Sequence, residues 1–257
     1  MYVMAEGNPV TPRPAAAVVL ARELAGGGIE VFMVRRHVRS EFVPDAFVFP
    51  GGSVNPGDIA TERAPELCSP VPEGPTALGT GFRVAALREC FEEAGVLIAR
   101  HGNVTLTIPP EAIERFATYR DELYRQTATM ESIAAHEGLI LATAELLHWA
   151  HWITPDALPK RFDTHFFLAP MPPGQEAAHD RLETTAGVWT TPENALSRFS
   201  EGAFPLVFAT IHQLRALTGL ASVDDAHQRF SAVPVRTIQP RVVQRDGQPV
   251  IVLPDEE

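Results

Sequence analysis

Cysteine is scarce in this sequence: Cys68 and Cys90 are the only two in 257 residues. Two thiols are too few and too poorly spaced for a disulfide framework or a zinc cluster, which fits a reducing compartment. Positive charge is also in short supply. With 21 Lys and Arg against 32 Asp and Glu, the net charge is -11 and the pI is about 5.3. Broad electrostatic attraction to a nucleic-acid backbone or an anionic membrane is therefore not expected, and any recognition of anionic groups must be local. No apolar run approaches the roughly 20 residues that span a bilayer. The start, MYVMAEGNPVTPRP, lacks a signal-peptide profile. Internal repeats and low-complexity tracts are missing too. These absences lead to the expectation of a soluble, cytoplasmic protein with neither nucleic-acid nor membrane partners.

What is present is enough apolar material for one substantial core, at 45% of residues. AAAVVLARE and IEVFMVRR, joined by LAGGG, predict a hairpin, and AFVFPGGSV a third strand entering a glycine-rich turn. From Phe82 the spacing of Leu87, Cys90, Phe91 and Ala94 becomes helical, and Gly95 suits the position after a helix end. Residues 111 to 127 predict a helix burying Ile113, Phe116, Ala117 and Leu123, with at least one more helix around Gly138. Strands at THFFLAPM and AGVWTT, helices at PENALSRF and PLVFATIHQLRAL, and a hairpin around Asp246 and Gly247 follow. The expected fold is an α/β (α+β) sandwich with a mixed sheet between helices. It is read as a single domain over 1–257, with a loop insertion at 59–80, an all-helical insertion at about 104–150 and a C-terminal extension at about 220–257.

The stretch AALRECFEEAGV sets Glu89, Glu92 and Glu93 at helical positions i, i+3 and i+4, so the three carboxylates converge on one side. A solvated helix face is the plain alternative. Upstream, PGGSVNPGD supplies Gly51, Gly52 and Gly57 directly after a strand, where backbone can bend sharply and approach a ligand closely. A glycine turn leading to a helix with three clustered acids suits hard divalent cations, since Mg²⁺ takes oxygen ligands and shares them with phosphates. Arg88 offsets part of the charge, through Glu92 at i+4 or back to Asp58.

These residues resemble a Nudix box, G-x5-E-x7-R-E-U-x-E-E-x-G-U. RECFEEAGV matches the second half, with Cys90 at an aliphatic position; GSVNPGD matches the first half, with Asp58 in place of glutamate. The spacing departs from the pattern, because 29 residues separate Asp58 from Arg88 where seven are usual. Loop closure tolerates such an insertion. The interruption is similar to the branch of the Nudix superfamily that includes the peroxisomal coenzyme A diphosphatase, as are RRHVRSEFVPDAFVFPGG and WITPDALPKRFDTHFFLAP, so the likeness runs from about residue 14 to about 217. The ending LPDEE has no peroxisomal address, and location is not carried over.

The resemblance implies a Nudix-type α/β/α sandwich and an enzyme that splits a diphosphate with Mg²⁺ or Mn²⁺. Glu89, Glu92, Glu93 and the Gly51 carbonyl match the metal ligands, and Arg88 the residue that orients the acids. Glu183 is the foremost candidate for a general base on a distant loop, ahead of Glu176 and Asp180. Arg35, Arg36, Lys160 and Arg161 are candidate phosphate anchors, because arginine's planar fork suits phosphate oxygens. Phe162, Phe166 and Phe167 are read as core, and Cys90 as an apolar filler. His148 and His151 are read as packing histidines, since no third ligand accompanies them. The first substrate expectation is coenzyme A or acyl-coenzyme A, giving 3′,5′-ADP and (acyl-)4′-phosphopantetheine. The alternatives are ADP-ribose, NADH or a dinucleotide polyphosphate, or a nucleotide sensor without turnover. The C-terminal hairpin either pairs across a homodimer or covers its own sheet.

Overall fold

The computed structural model describes residues 9–40, 43–71, 78–180 and 183–256. Strands β1 (Arg13–Glu23) and β2 (Ile29–Arg36) form the predicted hairpin, with Ala21 opposite Val31. β1 is buried continuously from Ala15 to Ala21, the mark of a strand covered on both faces. The single third strand expected from AFVFPGGSV is two short ones, β3 (Phe47–Val48) on β2 and β4 (Gly51–Ser53) on β1. Between them Pro50, which has no N–H to give a ladder, turns the chain while its carbonyl accepts from Val18.

Helix α1 (Pro56–Ala60) and two 3₁₀ turns, Thr61–Arg63 and Pro65–Leu67, fill the inserted stretch. It is packed rather than a plain surface loop, with Thr61, Ala64 and Cys68 buried; its residues 72–77 lie outside the described ones. Helix α2 (Thr80–Ala94) follows as expected and closes on Gly95, whose φ of 70° is left-handed.

The second insertion is not all-helical. β5 (Ala99–His101), β6 (Val104–Thr105) and, after helices α3 (Ile113–Tyr124) and α4 (Met130–Glu137), β7 (Ile140–Leu141) make a small three-stranded sheet. The buried stripe of α3 also differs from expectation: Phe116 and Leu123 are buried, but Ile113 is 57% exposed. The stripe is completed by Tyr119 and Arg120, half-buried, so the predicted face was rotated. LLHWAHW, counted with the insertion, supplies strand β8 (Leu147–Ile153) of the main sheet, as its aromatic content favours.

β9 (Phe162–Pro170) lies parallel to β1, in register from Arg13 opposite Phe162 to Ala21 opposite Pro170. β10 (Thr184–Thr190) pairs with β2. Helices α5 (Pro192–Ser200) and α6 (Phe208–Leu217) match expectation, whereas α7 (Val223–Ser231) was not foreseen. β11 (Thr237–Ile238) adds to β8, and β12 (Arg241–Arg245) and β13 (Gln248–Val252) form the predicted hairpin, turning through left-handed Asp246 and Gly247. Val252 is buried and Leu253 packs beside the α6 core, so this hairpin covers its own chain.

The main sheet runs β10-β2-β1-β9-β8-β11. Alternate residues of β1, β2 and β9 feed two cores. Val18, Phe32 and Phe167 face α2 and the insertion, while Val19, Met33 and Leu168 face the layer of α6 and α7. The result is the expected α/β/α sandwich with a mixed sheet.

Candidate active site

Helix α2 lies against β1 and β4 with most of its length buried. That burial carries its acidic residues inward. Glu89 and Glu93 are 8% and 4% exposed, so the solvated-face reading fails for them. The Gly51 N–H donates to Glu93 Oε2 at 2.9 Å, which ties the glycine turn to the helix. Both glycines are required by close approach. A Cβ on Gly51 would sit 2.7 Å from the Ala16 carbonyl oxygen, and one on Gly52 2.5 Å from Glu89 Oε1.

Arg88 makes both of the pairings foreseen for it. Its Nε and Nη2 donate to the two oxygens of Asp58 at 2.9 and 3.0 Å. Nη1 donates to Glu89 at 2.7 Å and Glu92 at 3.1 Å, and Nη2 also reaches the Ser53 carbonyl at 2.8 Å. Asp58 in turn accepts from the Asn55 N–H at 2.7 Å, fixing the start of α1. The two halves of the interrupted box thus meet in space, joined by one guanidinium.

Burial pushes all three glutamates above the ordinary carboxylate range: Glu92 to about 7 in spite of Arg88, Glu89 upward against the same cation, and Glu93 well upward, reinforced by Glu89. Glu89 and Glu92 share Arg88, and among the described residues Glu93 is paired with no cation, so the cluster is short of positive charge. Their oxygens, beside a glycine turn, fit a hard divalent cation, which would supply that charge.

A cavity of about 470 Å³ opens from these acids. Its lining includes Arg36, Gly51, Gly52, Arg88, Glu89, Glu92, Glu93, Asp180 and Glu183, together with the apolar Trp152, Leu158, Phe162, Phe166 and Phe208. Glu183 is close enough to raise the proton affinity of both Glu89 and Glu93. Asp180 instead accepts from the Glu183 N–H and from Thr184, positioning the turn before β10. Glu176 does not line the cavity.

Of the proposed anchors only Arg36 is brought to the cavity. Arg35 pairs with Asp45 at 2.9 Å. Arg161 is turned inward, donating to the carbonyls of Thr154 and Val10 and pairing with Asp156 at 2.6 Å. It braces the β8–β9 turn, and neither it nor Lys160 lines the cavity. Phe167 is core as expected, whereas Phe162 and Phe166 also present surface to the cavity. Cys90 is fully buried and its thiol is pushed up to about 12, as befits a filler.

Sequence reasoning missed Arg120. From α3 it donates to the Glu92 carbonyl at 2.7 Å and the Ala178 carbonyl at 2.9 Å. It thereby caps the carboxyl end of α2 and holds the chain that leads to Glu183. The Ala178 N–H donates to the Ala94 carbonyl at 2.8 Å beside it. Tyr124, also missed, lines the cavity near Glu183, Asp180 and Glu92. Neither stands in a motif, and only the fold shows their place.

An acidic helix clasped to a glycine turn across an α/β/α sandwich defines the class of Nudix hydrolases. Comparison with known families agrees, since the NUDT19 Nudix domain profile matches residues 64–217. The chain belongs to the Nudix superfamily and, within it, to the NUDT19 family. It is 28% identical to the chicken (Gallus gallus) acyl-coenzyme A diphosphatase NUDT19, over 86% of this chain and 71% of that protein. The human (Homo sapiens) protein of the same name is 27% identical over 84% of this chain and 68% of its own length. Among solved structures, a Nudix hydrolase from Alicyclobacillus acidocaldarius superposes with a TM-score of 0.72 at 30% identity, covering 88% of this chain and 99% of that one.

Proposed function

We propose that this protein hydrolyses the diphosphate of coenzyme A or acyl-coenzyme A to 3′,5′-ADP and (acyl-)4′-phosphopantetheine, using Mg²⁺ or Mn²⁺. The observation that carries the reading is the lining of the cavity. It combines the acids and Arg36 with apolar side chains that include Trp152, Phe166 and Phe208. A diphosphate suits the first group, and a pantetheine or acyl chain the second. The names borne by the chicken and human relatives point the same way.

Glu89, Glu92 and Glu93, with the Gly51 carbonyl, are the ligands proposed for the metal. When bound, it supplies positive charge to the phosphoryl oxygens. Arg88 keeps Glu89 and Glu92 oriented. Glu183 is proposed to take the proton of the attacking water, with Asp180 holding its backbone in place. Arg36 neutralises a phosphate oxygen as the leaving phosphate departs. Two buried, unpaired cysteines suit the proposed reducing, cytoplasmic setting, and among the described residues no helix is long and apolar enough to cross a membrane. The self-packed hairpin leaves the homodimer without support from that element.

Incubation with Mg²⁺ and coenzyme A, with product identification, tests the proposal. Cleavage of ADP-ribose, NADH or a dinucleotide polyphosphate with coenzyme A untouched would retire the substrate and keep the class. Metal binding without turnover on any of them would favour a sensor.

A further inference from the structure

On the α2-facing side of the sheet, histidines of β8 and β9 gather around one carboxylate. In a regular strand His148 and His151 would face opposite sides. The ladder between β8 and β9 shifts register between His148 and Ala150, and this bulge brings both rings to one face. His151 is opposite His165 and stacks on it at 4.0 Å with the planes 9° apart. Asp163, two residues before His165, is on the same face, and its Oδ1 meets Nε2 of His151 in a close contact and Nε2 of His165 at 3.9 Å.

The other ring nitrogens are also engaged. His151 Nδ1 is 2.8 Å from Thr237 Oγ1 on β11, and His165 Nδ1 is 3.0 Å from His148 Nε2. The Asp163 contact places the proton of His151 on Nε2; a metal ion would take that proton's place, leaving an Nδ1–H to donate to Thr237. A hydrogen bond at the remote nitrogen is how a protein orients metal-binding histidines. One ligand atom from each of His151, Asp163 and His165 lies within 4.8 Å of the others. Ligands of a tetrahedral zinc stand about 3.4 Å apart, so closing the set requires the two imidazoles to turn out of their parallel stack until their in-plane lone pairs converge.

We propose that His151, Asp163 and His165 form a second metal site, separate from the glutamate site, for a borderline first-row ion of the Zn²⁺ type. Two imidazoles and one carboxylate favour such an ion over Mg²⁺, which wants oxygen alone. From these strands the cavity takes Trp152, Ile153, Phe162, Thr164 and Phe166 and none of His151, Asp163 and His165, so an ion here stands outside the cavity lining. It would instead clip β8 to β9, with Thr237 extending the hold to β11.

Co²⁺ provides the probe, because tetrahedral nitrogen-containing sites absorb visible light far more strongly than octahedral oxygen sites. The chelator-treated chain is titrated with Co²⁺ in excess Mg²⁺, with stoichiometry read by absorption and Zn²⁺ competition by calorimetry. One intense equivalent, displaced by Zn²⁺, is expected. Asp163→Asn and His165→Gln should abolish it, and Thr237→Val, which keeps all three ligands, should weaken it roughly 10-fold. Asp163 is one-third exposed, so its substitution tests the ligand even where the histidine variant fails to fold by circular dichroism. Absence of the intense band in the wild type, or its persistence in Asp163→Asn, overturns the proposal.

Discussion

Adjacent glycines in the turn separate two kinds of constraint. A methyl group on Gly51 meets backbone, the Ala16 carbonyl oxygen and Ala17 Cα, whereas one on Gly52 meets only the Glu89 carboxylate. Gly51→Ala is therefore expected to cost about 1–3 kcal/mol in stability by overpacking, measured by denaturant unfolding. Gly52→Ala should leave the unfolding midpoint nearly unchanged and lower kcat, because it displaces Glu89, one of the proposed metal ligands. Arg88→Ala strands buried Asp58 and Glu89, and about 3–5 kcal/mol of destabilisation is expected, with activity lost besides. Glu93→Gln should abolish turnover in a chain that still folds. Asp58, Arg88 and the three glutamates were legible in the sequence because their chemistry and local spacing coincide. Arg161 misled because a basic residue near a motif looks the same whether its guanidinium faces phosphate or its own backbone carbonyls. The carbonyls of Val10 and Thr154, which claim it, are distant or unremarkable in the sequence.

At the scale of elements, the hairpin of β1 and β2, helix α2 with its Gly95 terminator and the β12–β13 turn were legible because local rules decide them. The strand β8 was not. It was counted with an insertion read as helical around Gly138, and although its aromatic content suits a strand, what fixes it as one is pairing with β9, which a local window does not contain. The phase of α3 failed for a related reason: Arg120 is held on the inner side by the carboxyl end of α2, whereas periodicity assigns a charged residue to water. This gives the insertion a task. Arg120→Ala removes the hydrogen bonds to the Glu92 and Ala178 carbonyls and should loosen the chain carrying Glu183. A fall in kcat of about 10–100-fold is expected, the scale of losing a supporting partner around a metal site, with KM less affected. Hydrogen exchange should rise in residues 171–180. Equal exchange in both proteins would show that Arg120 does not hold this segment.

For the whole molecule, the concentration of buried acid couples stability to pH. Burial holds Glu92 at about 7 against an ordinary 4.5, so the folded chain binds this proton more tightly than the unfolded chain. Its contribution is complete below the unfolded value and is lost as pH rises through about 7. Chelator-treated wild type should therefore lose more in Tm than Glu92→Gln does between about pH 5.5 and 8, and Mn²⁺ should narrow the difference by replacing protons with metal charge. A calorimetric scan series with the same slope in both proteins would refute this. The central pairing of the sheet has a different consequence, for the order of events at the ribosome. β1 takes its parallel partner from residues such as His165, opposite Ala16 and about 150 residues later. At the roughly 5–20 residues per second of synthesis, one edge of the most apolar strand waits about 7–30 s for its neighbour. Until then the nascent hairpin offers an open ladder to any other extended chain, so this protein should depend more on chaperones during translation than its finished sheet would suggest.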